Sequence, residues 1–140
     1  MAKKGITLKG KNNKVIGEVY AESHNKLILL NIEEPVSINE IETIINILKS
    51  YKQKFEINLL RVLTQWSGDK EQVVVEKSFI GVLVERMKPL NFSYIALVVS
   101  NIELLSTPTS GLPVEVFMSA TKADIKLTRI AMFEAGSTTG

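Results

Sequence analysis

Two apolar runs separated by an amphipathic segment dominate the middle of the chain. The first run covers residues 57–66, a polar turn follows at 67–70, and the second run covers 92–100. The segment between the two runs reaches about Lys88, because Pro89 disfavours a helical conformation at the residue before it. A strand, a crossover helix and a second strand are predicted, since parallel neighbours need a long connection.

Two strands are predicted before this unit. Residues 14–23 alternate apolar and polar positions, which is typical of a half-buried strand, and 26–32 form a nearly continuous apolar run. His24 and Asn25 lie between them, and asparagine tolerates the left-handed backbone of a tight turn. The sequence therefore predicts a hairpin.

A helix is predicted from Ser37 to Lys54. Ser37 and Glu40 have the spacing of a capping box. Lysines in the last turns suit the negative end of the helix dipole. Apolar residues follow at helical spacing: Ile38, Ile41, Ile44, Ile45, Leu48 and Tyr51.

The crossover helix after residue 70 is less clearly marked. Asp69 can cap it, but three consecutive β-branched residues at 73–75 weaken the helical pattern, so a strand at 72–76 remains an alternative. The predicted buried stripe is Val75, Phe79, Val82, Leu83 and Met87.

The last part of the chain predicts a loop, a strand and a helix. Pro108, Gly111 and Pro113 interrupt the loop at 101–113, and a short strand is expected at 114–118. Thr121 and Asp124 have the spacing of another N-terminal box, and Gly136 is expected to end the helix. Its buried face is predicted to contain Ala123, Leu127, Ile130 and Ala131.

These elements predict one α/β domain with a mixed β-sheet flanked by helices on one face, in the order β-β-α-β-α-β-β-α. Residues 1–13 are assigned to a basic N-terminal arm with room for a short strand at 5–8, 14–136 to the domain, and 137–140 to a tail. A length of 140 residues with 45% apolar residues suits one domain with its own core.

Composition and charge narrow the classes of function. No apolar run approaches the roughly 20 residues that span a bilayer, and no secretory signal is visible, so a cytoplasmic location is expected. Five lysines and no acid precede Val15, although the net charge is only +2. A basic arm can bind nucleic acid or an anionic surface. The rest of the chain does not extend such a patch, which favours a solubilising terminus and disfavours nucleic acid.

The sequence carries no recognisable catalytic, cofactor or metal motif. It has no cysteine and one histidine, and it contains neither a GxGxxG nor a GxxxxGK[ST] phosphate loop. Ser67, His24 and Asp69 include the residue types of a hydrolase triad, but the GxSxG elbow is missing. We therefore expect no enzymatic activity, no cofactor and no metal.

The candidate contact site is the loop of Trp66, Ser67, Gly68 and Asp69. The loop follows a predicted central strand, and ligands and partners of open α/β sheets meet the carboxyl ends of strands. Tryptophan is also enriched at interface hot spots. The alternative is that Trp66 caps the core.

The order of elements resembles that of STAS domains, including the anti-sigma-factor antagonists of bacteria. The resemblance covers residues 14–134, and its segments are FSYIALVVSN, VEVFMSATKADIKLTRIAMF and YKQKFEINLLRVLTQWSGD. Phosphoregulated members carry a serine in a DSSG-like motif after the third strand. The matching positions here are Ser67 in QWSGD or Ser78 in EKSFIG, and neither has the Asp-Ser pair before the glycine.

The resemblance implies a non-catalytic, cytoplasmic regulatory module that binds a protein partner through the loops at 66–70 and 101–111. One alternative is a module that binds an acyl chain or a nucleotide beside Phe79, Leu83 and Met87, and another is binding of nucleic acid or an anionic surface by the basic arm. A homodimer remains open, and the partner's identity is not readable from the sequence.

Overall fold

The fold is a six-stranded mixed sheet with three α-helices. The computed structural model describes residues 3–10, 14–22, 26–34, 36–64, 70–99 and 113–138, with side chains for all of these except 3–4, 70–73 and 134–138. The elements in chain order are β1 (Lys3–Lys9), β2 (Val15–Glu22), β3 (Leu27–Ile32), α1 (Ile38–Phe55), β4 (Leu59–Thr64), α2 (Lys70–Met87), a short 3-10 helix (Lys88–Leu90), β5 (Tyr94–Val98), β6 (Val114–Phe117) and α3 (Ala120–Thr138).

The strands lie side by side in the order in which they occur in the chain. β1, β2 and β3 pair antiparallel, whereas β3, β4, β5 and β6 pair parallel. The α/β class, the single domain, the hairpin pairing and the central strand–helix–strand unit are confirmed. The alternative strand at 72–76 is wrong, since these residues lie within α2.

The larger core lies between the sheet and the pair α1 and α2. Alternate residues of β3, β4 and β5 point to this face, so each strand contributes every second side chain. The predicted capping box of α1 is present, because the Ser37 hydroxyl accepts from the Glu40 amide at 3.3 Å and the Glu40 carboxylate accepts from the Ser37 amide at 2.8 Å. The largest fully buried residues of this core include Ile28, Leu30, Ile44, Leu48, Leu60, Ile80, Leu83 and Ile95.

The third helix packs on the opposite face of the sheet. Ala123 and Leu127 of α3 are buried against a second, smaller cluster that includes Leu29, Leu59 and Ala96. The expectation that all helices cover one face is therefore wrong. Leu27, Leu29 and Leu59 explain the difference, because they are apolar, point away from the larger core and need cover of their own.

Several boundaries differ from the predicted ones. Residues 3–9, assigned to a basic arm with a strand at 5–8, form edge strand β1 paired with β2. The predicted Thr121 box is wrong, because the Ser119 hydroxyl accepts from the Lys122 amide at 3.2 Å and α3 begins at Ala120. This helix also continues past Gly136 to Thr138.

The close approach of β2 to β3 requires a glycine at position 17. A Cβ atom on Gly17 would overlap the carbonyl oxygen of Asn31, which belongs to the neighbouring strand and has no freedom to move aside. Gly17 faces Ile32 in the antiparallel register. The hairpin can therefore pair at this distance only because residue 17 has no side chain.

Candidate functional site

The candidate site lies at the edge of the sheet where the four parallel strands end, which we call the carboxyl edge. β3, β4, β5 and β6 end there at Ile32, Thr64, Val98 and Phe117. The parallel register aligns these ends, since Ile32 pairs with Thr64 and Val98 with Phe117. In open α/β sheets this edge is the usual place for ligands and partners.

The predicted contact residues follow directly from this edge. Trp66, Ser67, Gly68 and Asp69 continue from β4, and the second predicted contact segment, 101–111, follows β5. All of them lie outside the described residues. The description of the site is therefore confined to the ends of β4 and β5 and to α2 from Val74 onward.

A buried polar pair joins the end of β4 to α2. Thr64 and Glu76 are each only 1% exposed, and the Thr64 hydroxyl lies 2.6 Å from a carboxylate oxygen of Glu76. The same hydroxyl lies 3.2 Å from the carbonyl oxygen of Val98, at the end of β5. One side chain thus ties together two strand ends and the crossover helix.

The buried pair fixes the start of α2 relative to the sheet. A hydrogen bond in a water-excluded position is electrostatically stronger than an exposed one, and a buried polar group that loses its partner costs free energy. The end of β4 and helix α2 are therefore joined directly by a buried contact.

Sequence reasoning missed Glu76, although its position contained a usable signal. Residues 76, 79, 80, 83, 84 and 87 recur at helical spacing, and all six are buried. The predicted stripe instead began at Val75. A glutamate by itself does not predict an inward position, because carboxylates are rarely buried without a partner.

Exposed valines lie beside this buried pair. Val74 is 68% exposed and Val75 is 42% exposed, so the prediction that Val75 is buried is wrong. A third exposed apolar residue, Met118, follows β6 at the same edge. Around α2 and β6, the carboxyl edge thus combines a buried polar pair with exposed apolar side chains.

The remaining predicted residues of α2 differ in their exposure to solvent. Ser78 is exposed, eight residues after the helix begins at Lys70, so its hydroxyl is open to solvent. Phe79, Leu83 and Met87 are buried in the larger core, where they pack with side chains of the sheet. Packing in the core explains why these residues are apolar. Their apolar character is therefore no evidence for a ligand pocket.

A second group of polar contacts lies under α3. The Arg61 guanidinium, whose side chain is 12% exposed, lies 2.6 Å from the Asp124 carboxylate. The Tyr94 hydroxyl donates to Glu115 at 2.6 Å, and Lys126 lies 3.9 Å from the same carboxylate. Burial, and then the hydrogen bond to Glu115, raise the pKa of Tyr94 well above its usual range.

The basic residues near the N-terminus are partly engaged within the fold. Lys14 precedes β2 and lies 2.9 Å from the Glu34 carboxylate, which follows β3. Both residues are at the carboxyl edge, because the Glu33 amide donates to the Ile16 carbonyl at 2.8 Å. Lys14 is therefore less available to an external anion than a residue of a free arm would be.

Within the ranges given above, no three histidine, aspartate or glutamate side chains come together in a way that could hold a metal ion. None of the helices, over the same described residues, is long and apolar enough to cross a bilayer.

Comparisons with known proteins leave the family of the chain open. The chain matches no protein-family model, no curated protein and no solved structure. The function must therefore be inferred from the residues and their geometry.

Proposed function

We propose that the protein is a non-catalytic regulatory module of STAS-like type that binds a protein partner in the cytoplasm through the carboxyl edge. The observation that carries this proposal is the exposure of Val74 and Val75 in the second turn of α2, the helix that follows the predicted contact loop. Exposed valines within a helix contribute little to helix propensity and leave apolar surface in water. A partner that covers them removes this surface from solvent.

The buried Thr64–Glu76 pair supports the same proposal. Because Thr64 and Glu76 hold the start of α2 against two strand ends, the valines are presented on a rigid support. Rigid presentation lowers the entropy lost on binding, which improves affinity without further contacts. The tryptophan at position 66 adds an aromatic residue of the type that anchors interfaces.

Phosphorylation would act on this same surface. A phosphate on Ser67 would add about −1.5 to −2 charge units shortly before the start of α2 at Lys70. An apolar partner surface would then lose affinity, because the phosphate must be desolvated or excluded on docking. Ser78, which is exposed on α2, is the second candidate for such a modification.

Site-specific photo-crosslinking in cells tests the proposal. A photoreactive residue at Val74 is compared with one at Gln53, which is also exposed but lies near the end of α1, at the opposite edge of the sheet. We expect a discrete protein adduct from position 74 and none from position 53.

Variants at the loop then decide whether the adduct reflects the proposed surface. Trp66→Ala combined with Ser67→Ala should reduce the yield of the adduct at position 74 by about tenfold, as expected for an interface anchor. The same adducts from positions 74 and 53, or an undiminished yield in the folded double variant, would contradict the proposal.

A further inference from the structure

The outward side of α3 carries a second surface, independent of the carboxyl edge. Six exposed residues recur there at intervals of three or four and so share one side of the helix: Lys122, Ile125, Lys126, Arg129, Met132 and Phe133. We call this set the outer α3 surface. The inner side of the same helix, with Ala123 and Leu127, is buried against the sheet.

Large apolar side chains on this surface are left in water. Phe133 is 79% exposed and Met132 is 69% exposed, and Ile125, about two turns earlier, is half exposed. The spacing of seven and eight residues from Ile125 to the other two matches the anchors of helix-in-groove recognition. Methionine and phenylalanine are also enriched in protein interfaces relative to other surfaces.

The charge of this surface has one sign. Lys122, Lys126 and Arg129 are all cationic, and Asp124, which lies elsewhere around the helix, is engaged with Arg61. Within residues 120–133, where side chains are described, the outer surface therefore has no acidic residue. Lys126 reaches Glu115 only at 3.9 Å, so its charge is weakly neutralised.

From these observations we propose that the outer α3 surface binds an amphipathic helical segment of another protein in which acidic residues alternate with apolar ones. Apolar anchors would pack against Met132 and Phe133, and carboxylates would meet the three cations. Complementary charge across an interface favours the correct partner and speeds association.

Charge and arrangement argue against two other occupants. A second copy in an antiparallel helix pair would place cations against cations, which is unfavourable between like charges in contact. A lipid-binding helix separates a wide apolar face from a cationic one. Here Arg129 and Lys122 lie between Ile125 and Phe133 around the helix, so the two kinds of residue are interleaved.

Peptide binding to the full-length protein tests the proposal. The probe is a fluorescein-labelled helical peptide of about 20 residues with leucines on one face and glutamates between them. Two control peptides carry lysine in place of every glutamate or serine in place of every leucine. We expect saturable binding of the first peptide alone, and weaker binding at high salt because screening reduces the charge contribution.

Variants assign the binding to this surface. Arg129→Glu and Phe133→Ser should each weaken binding by about tenfold or more. The matched controls, Lys49→Glu and Ile38→Ser, change an exposed cation and an exposed apolar residue on α1 and should leave the affinity unchanged. Circular dichroism confirms that each variant is folded.

Three results would overturn the proposal. The first is an absence of saturable binding by the acidic peptide. The second is sedimentation with vesicles that contain anionic lipid, lost in Arg129→Glu, without peptide binding, which assigns the surface to a membrane. The third is a dimer of the wild-type protein that Phe133→Ser dissociates, which assigns the surface to a second copy.

Discussion

The face of the sheet under α1 and α2 and the face under α3 are packed in different ways. The first is closed by two helices and a large set of aliphatic side chains, and its buried polar contact is the Thr64–Glu76 pair at one end. The second has a single helix, a smaller apolar cluster and polar contacts within the layer itself, such as Arg61 with Asp124.

The difference indicates a division of roles. Apolar burial contributes about 25 cal/mol per Å², so the larger core supplies most of the free energy that opposes unfolding. A single helix held partly by polar contacts can shift more easily when a neighbouring side chain changes. We therefore expect that removing buried side-chain volume lowers the free energy of unfolding more on the first face than on the second. On the second face, loss of the Arg61–Asp124 ion pair should also lower it.

The largest expected effect comes from truncating buried leucines. Leu48 of α1 and Leu127 of α3 are both buried, one on each face. Leu48→Ala should cost about 3–5 kcal/mol and Leu127→Ala about 2–3 kcal/mol, because α3 can move into the cavity that the substitution leaves. Urea denaturation measures both values.

An exposed apolar residue is the control for this pair. Ile38→Ala, at the exposed start of α1, should change the free energy of unfolding by less than about 0.5 kcal/mol. If the Leu127 variant costs as much as the Leu48 variant, the second face is as rigid as the first and the comparison fails.

A smaller effect is expected from the ion pair under α3. Asp124→Ala leaves the Arg61 guanidinium, which is mostly buried, without its carboxylate partner. The expected cost is about 1–2 kcal/mol, lower than for a fully buried pair because Asp124 is half exposed.

Two further variants test this interpretation: one removes an exposed ion pair, and the other is a double variant. Glu85→Ala removes the surface pair with Lys88 and should cost less than about 0.5 kcal/mol. Adding Arg61→Met to Asp124→Ala should recover part of the loss, because the buried charge is then gone. A double variant less stable than the single one would show that Arg61 contributes mainly through other contacts.

The smallest effect concerns stability at high pH. Burial raises the pKa of Tyr51 on the first face, and burial with the Glu115 bond raises that of Tyr94 on the second. A raised folded-state pKa favours the protonated phenol in the native state. The contribution is therefore complete below pH about 10, the ordinary tyrosine value, and is lost as the pH rises toward the folded-state pKa.

Urea midpoints between pH 8 and pH 11 test this dependence. Tyr94→Phe should flatten the decline above pH 10, and Glu115→Gln should flatten it partly, since it removes the negative charge beside the phenol. Tyr51→Phe, in contrast, removes a tyrosine whose pKa is raised by burial and not by a neighbouring carboxylate. A decline that is identical in all four proteins would mean that groups other than Tyr51 and Tyr94 govern it.

Much of the fold follows from local patterns that the sequence states clearly. The capping box of Ser37 and Glu40, the hairpin and the strand–helix–strand unit all depend on short-range spacing, and each is present. The side of the sheet on which α3 packs depends on a non-local contact, the meeting of Leu127 with Leu29 and Leu59. No local pattern specifies it.

The place of the candidate site stays a prediction from the sequence, and the buried pair beside it is a finding of the structure. The predicted place follows from the end of a central apolar run. The buried Thr64–Glu76 pair could not be predicted, because Glu76 contacts a hydroxyl on the preceding strand, twelve residues earlier in the chain. The same limit explains Val75, whose inward orientation was inferred from an apolar pattern that in fact centres on residues 76, 79 and 80.

The strand order of the sheet has a consequence for folding. Because every strand pairs with the strand that precedes it in the chain, no strand must wait for a segment synthesised much later. Each pairing then closes over a single connection, so this strand order avoids the longer loop closures that a non-sequential order would need. The sheet can therefore grow from the first hairpin toward β6 as the chain leaves the ribosome, with one open edge advancing at each step.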